Sequence, residues 1–124
     1  MGFFDLFRRS KKGKYIVDKT EVKNEYIENR FQFLVDCGYD YMYYQKNAER
    51  EFVYSLNDCR VDVILDGDVF DCIIKTKDFG RANITQNPLV VEGFKEQFYK
   101  ATNVQRVDMV VNLIHENADV FCIK

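Results

Sequence analysis

The fold is decided by residues 51–76, which read EFVYSLNDCRVDVILDGDVFDCIIKT. Apolar and polar residues alternate along three parts of this stretch, and Asn-Asp and Asp-Gly-Asp runs separate the parts. Alternation with period two is typical of half-buried strands, and Asn, Asp and Gly favour short turns. The stretch therefore predicts three antiparallel strands, over 51–56, 59–65 and 69–76.

The turn at 57–58 fixes the register of the first hairpin, since it sets Tyr54 opposite Val61 and makes every inward-facing pair apolar. A further strand over 39–45 precedes this hairpin and joins it through a turn at 47–48. We thus expect a four-stranded antiparallel meander.

The turn of the last hairpin has two possible placements. Asp66-Gly67 at its centre sets Asp62 opposite Asp71, whereas Gly67-Asp68 separates these two carboxylates. Both placements keep the apolar residues on one face. Like charges directly opposite one another destabilise a strand pair, so the second placement is favoured.

Helical spacing of apolar residues predicts three helices around this sheet. The first runs over 21–36, with Asp18 as its N-cap. The second covers 89–101, and the third begins at a Thr-x-x-Gln capping box and covers 102–118. Residues 78–90 combine Gly, Asn and Pro, which break any periodicity, and so predict a loop.

The order of these elements indicates an α+β fold. It consists of an N-terminal helix, a four-stranded antiparallel β-meander and two C-terminal helices, with all three helices packed on one sheet face. The apolar residues 120–123 predict either a tail packed on the domain or a fifth, edge strand. A length of 124 residues fits one domain.

Charge is distributed unevenly along the chain. Residues 1–14 contain five bases and one acid and are expected to form a basic, aromatic N-terminal tail. Residues 15–124 form the predicted single domain, with 13 bases and 19 acids and a net charge of −6. An acidic domain disfavours nucleic-acid binding.

The tail and the four cysteines bear on localisation. An apolar run at 3–7 followed by a basic run is compatible with peripheral membrane contact, but we interpret the tail as a loosely docked terminus. Apolar residues before basic ones are the reverse of a secretory signal. The cysteines lack the close pairs typical of zinc sites and are expected to be reduced, mostly buried thiols. We therefore expect a cytoplasmic protein.

Catalytic patterns are missing. His115 is the only imidazole, and in the string His115-Glu-Asn-Ala-Asp119 an Asp stands where a metalloprotease helix needs a second His. No nucleophile motif and no phosphate-binding glycine loop occurs. We expect no enzymatic activity, no metal and no cofactor.

Residues 58–71 contain five Asp and one Arg. Three interpretations are open for this acidic cluster: a solvated hairpin tip, a cation site, or a docking surface for a basic partner. A calcium loop of the EF-hand type needs two flanking helices, and here the flanking segments are predicted strands.

The sheet face that points away from the core carries apolar residues among the charged ones. An apolar patch rimmed by charge is typical of a binding face, although a later helix or the Phe-rich N-terminus would account for it equally well by covering it. The candidate partner-binding residues on this face are Asp40, Met42, Tyr44, Glu51, Val53, Asp62, Ile64 and Asp71.

A resemblance supports the binding interpretation. Residues 28–77 read ENRFQFLVDCGYDYMYYQKNAEREFVYSLNDCRVDVILDGDVFDCIIKTK. A helix ending in Phe-Leu and a Gly-Tyr entry to an aromatic meander resemble small α+β immunity-type proteins of Gram-positive bacterial toxin systems. The resemblance implies a non-enzymatic, cytoplasmic, acidic protein that binds a protein partner, and it transfers no functional residues.

Two functions are therefore expected from the sequence. The first is a protein-binding module, most concretely an immunity-type inhibitor that neutralises a cognate bacterial toxin by occlusion. The alternative is a homo-oligomeric structural or adaptor protein that uses the same face on itself.

Overall fold

The computed structural model describes residues 22–123, so the predicted tail at 1–14 and the predicted N-cap Asp18 lie outside the described residues. The described chain has an α+β fold with one antiparallel sheet, whose five strands lie side by side in chain order. The elements are α1 (Asn24–Arg30), α2 (Gln32–Asp36), β1 (Asp40–Lys46), β2 (Glu49–Leu56), β3 (Cys59–Asp66), β4 (Val69–Thr76), β5 (Gly80–Asn83), a 3-10 turn (Ile84–Gln86), α3 (Phe94–Lys100) and α4 (Asn103–Glu116).

The predicted strand register is confirmed. Tyr54 lies opposite Val61, as the turn at 57–58 requires. In the next hairpin Asp62 lies opposite Ile73, so the turn is centred on 67–68. This placement keeps the Asp62 and Asp71 carboxylates from facing each other, and like charges in opposed positions destabilise a strand pair.

The three two-residue hairpin turns, at 47–48, 57–58 and 67–68, share one backbone feature. The first turn residue has a positive φ each time: 56° at Asn47, 51° at Asn57 and 61° at Gly67. Gly adopts this left-handed region without a steric penalty, and Asn tolerates it better than most residues. Asn47 therefore supports its turn although an Ala follows it.

A fifth strand and the 3-10 turn that follows it occupy part of the segment that the sequence predicts to be a loop. The loop prediction is therefore wrong for residues 80–86. β5 pairs antiparallel with β4, and Gly80 enters it with a φ of 72°. The strand has only four residues, and its apolar and polar residues do not alternate. It is therefore too short to give a periodic signal. Residues 120–123 form a packed tail and no strand: Phe121 is fully buried and its carbonyl accepts a 2.7 Å hydrogen bond from the Tyr39 hydroxyl.

The N-terminal helix begins three residues later than predicted and is interrupted at Phe31. Phe31 has φ −101° and ψ 7°, outside the helical range, and separates α1 from α2. Its ring is fully buried and stacks on Tyr54 at 5.5 Å between centroids. The predicted end is confirmed, since Gly38 follows α2 with a φ of 105°.

The two C-terminal helices are shorter than predicted. α3 begins at Phe94 because Gly93 has a φ of 91°, which no helix residue adopts. α4 begins as predicted at the capping box, in which the Thr102 hydroxyl accepts from the Gln105 N–H and the Gln105 side chain accepts from the Thr102 N–H.

One hydrophobic core joins the helices to a single face of the sheet. The Phe70 and Phe98 rings meet at 5.9 Å between β4 and α3. The sheet contributes to this core the side chains of Phe52, Tyr54, Val61, Val63, Leu65, Phe70, Cys72 and Ile74. The helices, together with the break between α1 and α2, contribute Ile27, Phe31, Leu34, Phe98, Val107, Val110, Val111 and Ile114. The predicted packing of the helices on one face is therefore observed for the described residues.

The capping box gives a first prediction. Thr102→Ala removes the hydroxyl that accepts the Gln105 N–H, so the free energy of unfolding should fall by about 1 kcal/mol in urea denaturation. Thr102→Ser retains the hydroxyl and should stay close to the parent. Equal losses in both variants would show that the cap is not the cause.

Two buried tyrosines and a half-buried one give a second prediction. Burial raises the pKa of Tyr39, Tyr41 and Tyr54 above the ordinary value of 10.0. The folded chain therefore keeps protons that the unfolded chain releases above about pH 10, and the free energy of unfolding should fall as the pH rises beyond this value. Urea denaturation at a series of alkaline pH values, together with tyrosinate absorbance, measures this loss.

Tyr54→Phe tests how much of the fall in the free energy of unfolding at alkaline pH comes from Tyr54. The buried Tyr54 hydroxyl has no hydrogen-bond partner among residues 22–123, so its removal should cost little stability at neutral pH. The variant has one tyrosine fewer to titrate on unfolding, and its stability should fall less steeply above about pH 10. An unchanged slope would contradict the assignment to Tyr54.

Candidate partner-binding face

The outer face of the sheet is the face opposite the core, and the strand register arranges its side chains in four rows across the strands. From the 57–58 end of the sheet to the 67–68 end, the rows are Asp40–Ser55–Arg60–Lys75–Arg81, Met42–Val53–Asp62–Ile73–Asn83, Tyr44–Glu51–Ile64–Asp71 and Lys46–Glu49–Asp66–Val69. Neighbouring members of a row lie about 5 Å apart.

All eight predicted partner-binding residues lie on this face, within the first three rows. Met42 and Tyr44 expose 55% and 48% of their surface, and Val69 in the fourth row exposes 64%. The helices of the described chain pack on the opposite face, although Tyr99 of α3 lines a pocket together with Val69 at the margin of the outer face. A cover formed by the N-terminal segment lies outside the described residues.

Two of the predicted contact residues are buried on this face. Val53 is 5% exposed and Asp62 is 2% exposed. A partner would instead meet the exposed or half-exposed members, Asp40, Met42, Tyr44, Glu51, Ile64 and Asp71.

An ion pair holds the buried carboxylate. Arg60 Nε donates to Asp62 Oδ1 at 2.8 Å, and this hydrogen bond raises the pKa of the Arg60 guanidinium. The Arg60 side chain is 43% exposed, whereas that of Asp62 is 3% exposed. The buried Asp62 carboxylate therefore has a charged hydrogen-bond donor, and the ion pair fixes the position of the Arg60 guanidinium on the outer face.

A second carboxylate ties the fifth strand to the face. Asp71 Oδ1 accepts from the backbone N–H of Cys72 and from the side-chain amide of Asn83 on β5. These bonds stabilise the short strand, which carries Arg81 in the first row.

The face has a basic end and an acidic end, which the sequence did not predict. Arg60, Lys75 and Arg81 lie next to one another in the first row, and the last two rows carry Glu49, Glu51, Asp66 and Asp71. The signal was hidden because Arg81 joins the face only through β5. A partner would be oriented by this gradient of charge along the strands.

The acidic cluster of residues 58–71 is not a single site. Asp58 lies in the turn at the basic end of the sheet and Asp68 in the turn at the opposite end. Asp62 is engaged by Arg60, and Asp71 by Asn83. Within residues 22–123 no group of three or more His, Cys, Asp or Glu side chains is placed to hold a metal ion.

His115 lies on the helical side of the molecule, away from the outer face. It is exposed near the end of α4, and its ring stacks on Phe33 at 4.2 Å between centroids. The stacking gives this side chain a packing role. Of the four cysteines, which are all free, Cys59 and Cys72 are buried, Cys37 is half-buried and Cys122 is exposed.

A groove lies between α3 and α4. It encloses about 440 Å³ and is lined by apolar side chains, which include Leu89, Phe94 and Met109, and by polar ones, which include Gln97 and Glu116. No histidine, cysteine or second carboxylate joins Glu116 there, so it lacks paired groups for acid–base chemistry.

Comparison with protein-family models, with curated proteins and with solved structures finds no match to this chain. Among residues 22–123, no helix has the combined length and apolar character that crossing a membrane requires.

The Arg60–Asp62 pair gives a third prediction. Arg60→Met leaves the Asp62 carboxylate buried without its charged donor, and the free energy of unfolding should fall by about 2 kcal/mol. Replacing both partners, Arg60→Met with Asp62→Val, removes the unpaired charge and should recover most of the loss. Urea denaturation of the two variants measures the difference, and equal losses would show that the unpaired Asp62 carboxylate is not the cause of the loss.

Proposed function

We propose that this chain is a non-enzymatic protein-binding module that takes up a partner protein on the outer face of its sheet. The observation that carries the proposal is the exposure of Met42, Tyr44 and Val69 among charged side chains on one face of a five-stranded sheet. Apolar anchors within a charged rim are typical of protein interfaces, and Tyr is among the residues that contribute most to them.

The most concrete form of this function is an immunity-type inhibitor. Its acidic rows, with Glu49, Glu51, Asp66 and Asp71, would meet a basic surface of a cognate bacterial toxin and occlude the active site of that toxin. The sequence resemblance to immunity-type proteins and the net charge of −6 over residues 15–124 support this form. Charge complementarity of this kind accelerates association and selects the partner.

Tyr44→Ala tests the face directly, and Val91→Ala is its control. Both residues are large hydrophobic side chains that are exposed, but Val91 lines the groove between α3 and α4, and no residue of the outer face lines that groove. With the products of the flanking genes as probes, Tyr44→Ala should weaken binding at least tenfold, as expected for an anchor residue, whereas Val91→Ala should bind like the parent. Calorimetry or surface-immobilised binding measures the affinities.

A growth assay tests whether the chain acts as an immunity-type inhibitor. Expression of a toxic flanking product should arrest growth, co-expression of the parent chain should relieve the arrest, and Tyr44→Ala should relieve it less than Val91→Ala. Binding of a flanking product without relief would refute inhibition and leave the binding module. Absence of binding by every flanking product would refute the immunity form.

A further inference from the structure

Among residues 22–123, the strand β1 forms one edge of the sheet with no strand on its outer side. It has seven residues, and β2 is its neighbour on one side only. Within residues 22–123, no backbone group of β1 bonds to any backbone group outside its pairing with β2. Native proteins usually shorten, bend or block such edges, because an unpaired edge binds a further strand.

The register identifies which backbone groups point outward from this edge. The two-residue turn at 47–48 closes on Lys46 and Glu49, so this pair is hydrogen-bonded. Bonded and unbonded pairs alternate along an antiparallel ladder. Tyr41, Tyr43 and Gln45 therefore direct their N–H and C=O groups away from β2.

The sequence of β1, DYMYYQK, is complementary to itself when it is reversed about its central residue. Antiparallel pairing about Tyr43 sets Asp40 opposite Lys46 of a second copy, and Met42 opposite Tyr44. Each of these pairs occurs twice because of the two-fold symmetry. The remaining opposed residues, Tyr41 and Gln45, are uncharged, so no like charges face each other.

We propose that two copies of this chain pair edge to edge through β1, antiparallel about Tyr43, and so form one continuous sheet, to which residues 22–123 of each copy contribute five strands. The outward groups of Tyr41, Tyr43 and Gln45 then exchange about six backbone hydrogen bonds. Two Asp40–Lys46 ion pairs and two Met42–Tyr44 contacts fix the register, because a shift by two residues separates all of them.

The opposite edge does not offer this pairing. β5 has four residues and carries no self-complementary charges, so a pair of β5 strands would gain few bonds. A single strand pair buries less surface than a standard protein interface, so we expect a dissociation constant on the order of 10–100 µM. The chain would then be monomeric when dilute and paired when concentrated.

Sedimentation equilibrium of the full chain over about 1–300 µM tests the proposal, and the fitted mass should rise from monomer to dimer. Asp40→Lys alone and Lys46→Asp alone each set like charges opposite one another twice, and each should weaken self-association about tenfold. An equimolar mixture of the two variants restores both ion pairs. It should therefore form a mixed dimer, which native mass spectrometry identifies by its mass.

Two further variants control this experiment. Asp66→Lys makes the same change in charge as Asp40→Lys but lies on β3, away from the edge, and should leave self-association unchanged. Gln45→Pro removes an outward N–H without touching the bonds to β2, and should weaken self-association at least tenfold. Thermal denaturation verifies that each variant is folded.

The proposal is overturned if the parent chain remains a monomer throughout, or if the mixture associates no better than either variant alone. Equal weakening by Asp66→Lys would also overturn it, since the effect would then be one of net charge. This pairing uses the sheet edge and goes beyond the proposed function, which uses the outer face. A monomeric result leaves partner binding standing, and a failure of partner binding leaves the edge pairing standing.

Discussion

The register of the β2–β3 hairpin is the constraint on which the rest of the structure depends. Side chains alternate between the two faces of a strand, so a slip by one residue would exchange the faces completely. Phe52 and Tyr54 would then leave the core, while Glu51 and Ser55 would enter it. Each large side chain that leaves the core forfeits about 2 kcal/mol of burial, so the observed register is strongly specified.

The same constraint explains how much of the fold the sequence could predict. Turn residues and alternation lie next to each other in the chain, so the pairs Tyr54–Val61 and Asp62–Ile73 could be assigned without knowledge of tertiary packing. The break at Phe31 could not, because it accompanies the stacking of this ring on Tyr54, a contact between distant parts of the chain. β5 was missed because four residues stabilised by Asn83 bonding to Asp71 carry no periodic signal of their own.

The candidate site, like the fold, could be predicted from the sequence only in part. Alternation alone placed Met42, Tyr44 and their neighbours on one face, since that step needs only the parity of each strand. Exposure of the face depends on where the helices pack, which a local pattern does not determine. The burial of Val53 and Asp62 could not be predicted either, because the parity of a strand position gives its face but not how far other side chains cover it. The basic row required β5 to bring Arg81 beside Lys75.

The outer face and the open edge reinforce each other physically. Edge pairing about a two-fold axis perpendicular to the sheet keeps both outer faces on the same side. Met42 and Tyr44 lie on the edge strand itself, so pairing would bring the two exposed apolar pairs together at the centre of a doubled face. A partner bound there would contact both copies and would hold them together, because a ligand that prefers the paired state increases its population. Partner binding and self-association would then be coupled through Tyr44, whereas Asp40 and Lys46 at the ends of the strand would act chiefly on the pairing.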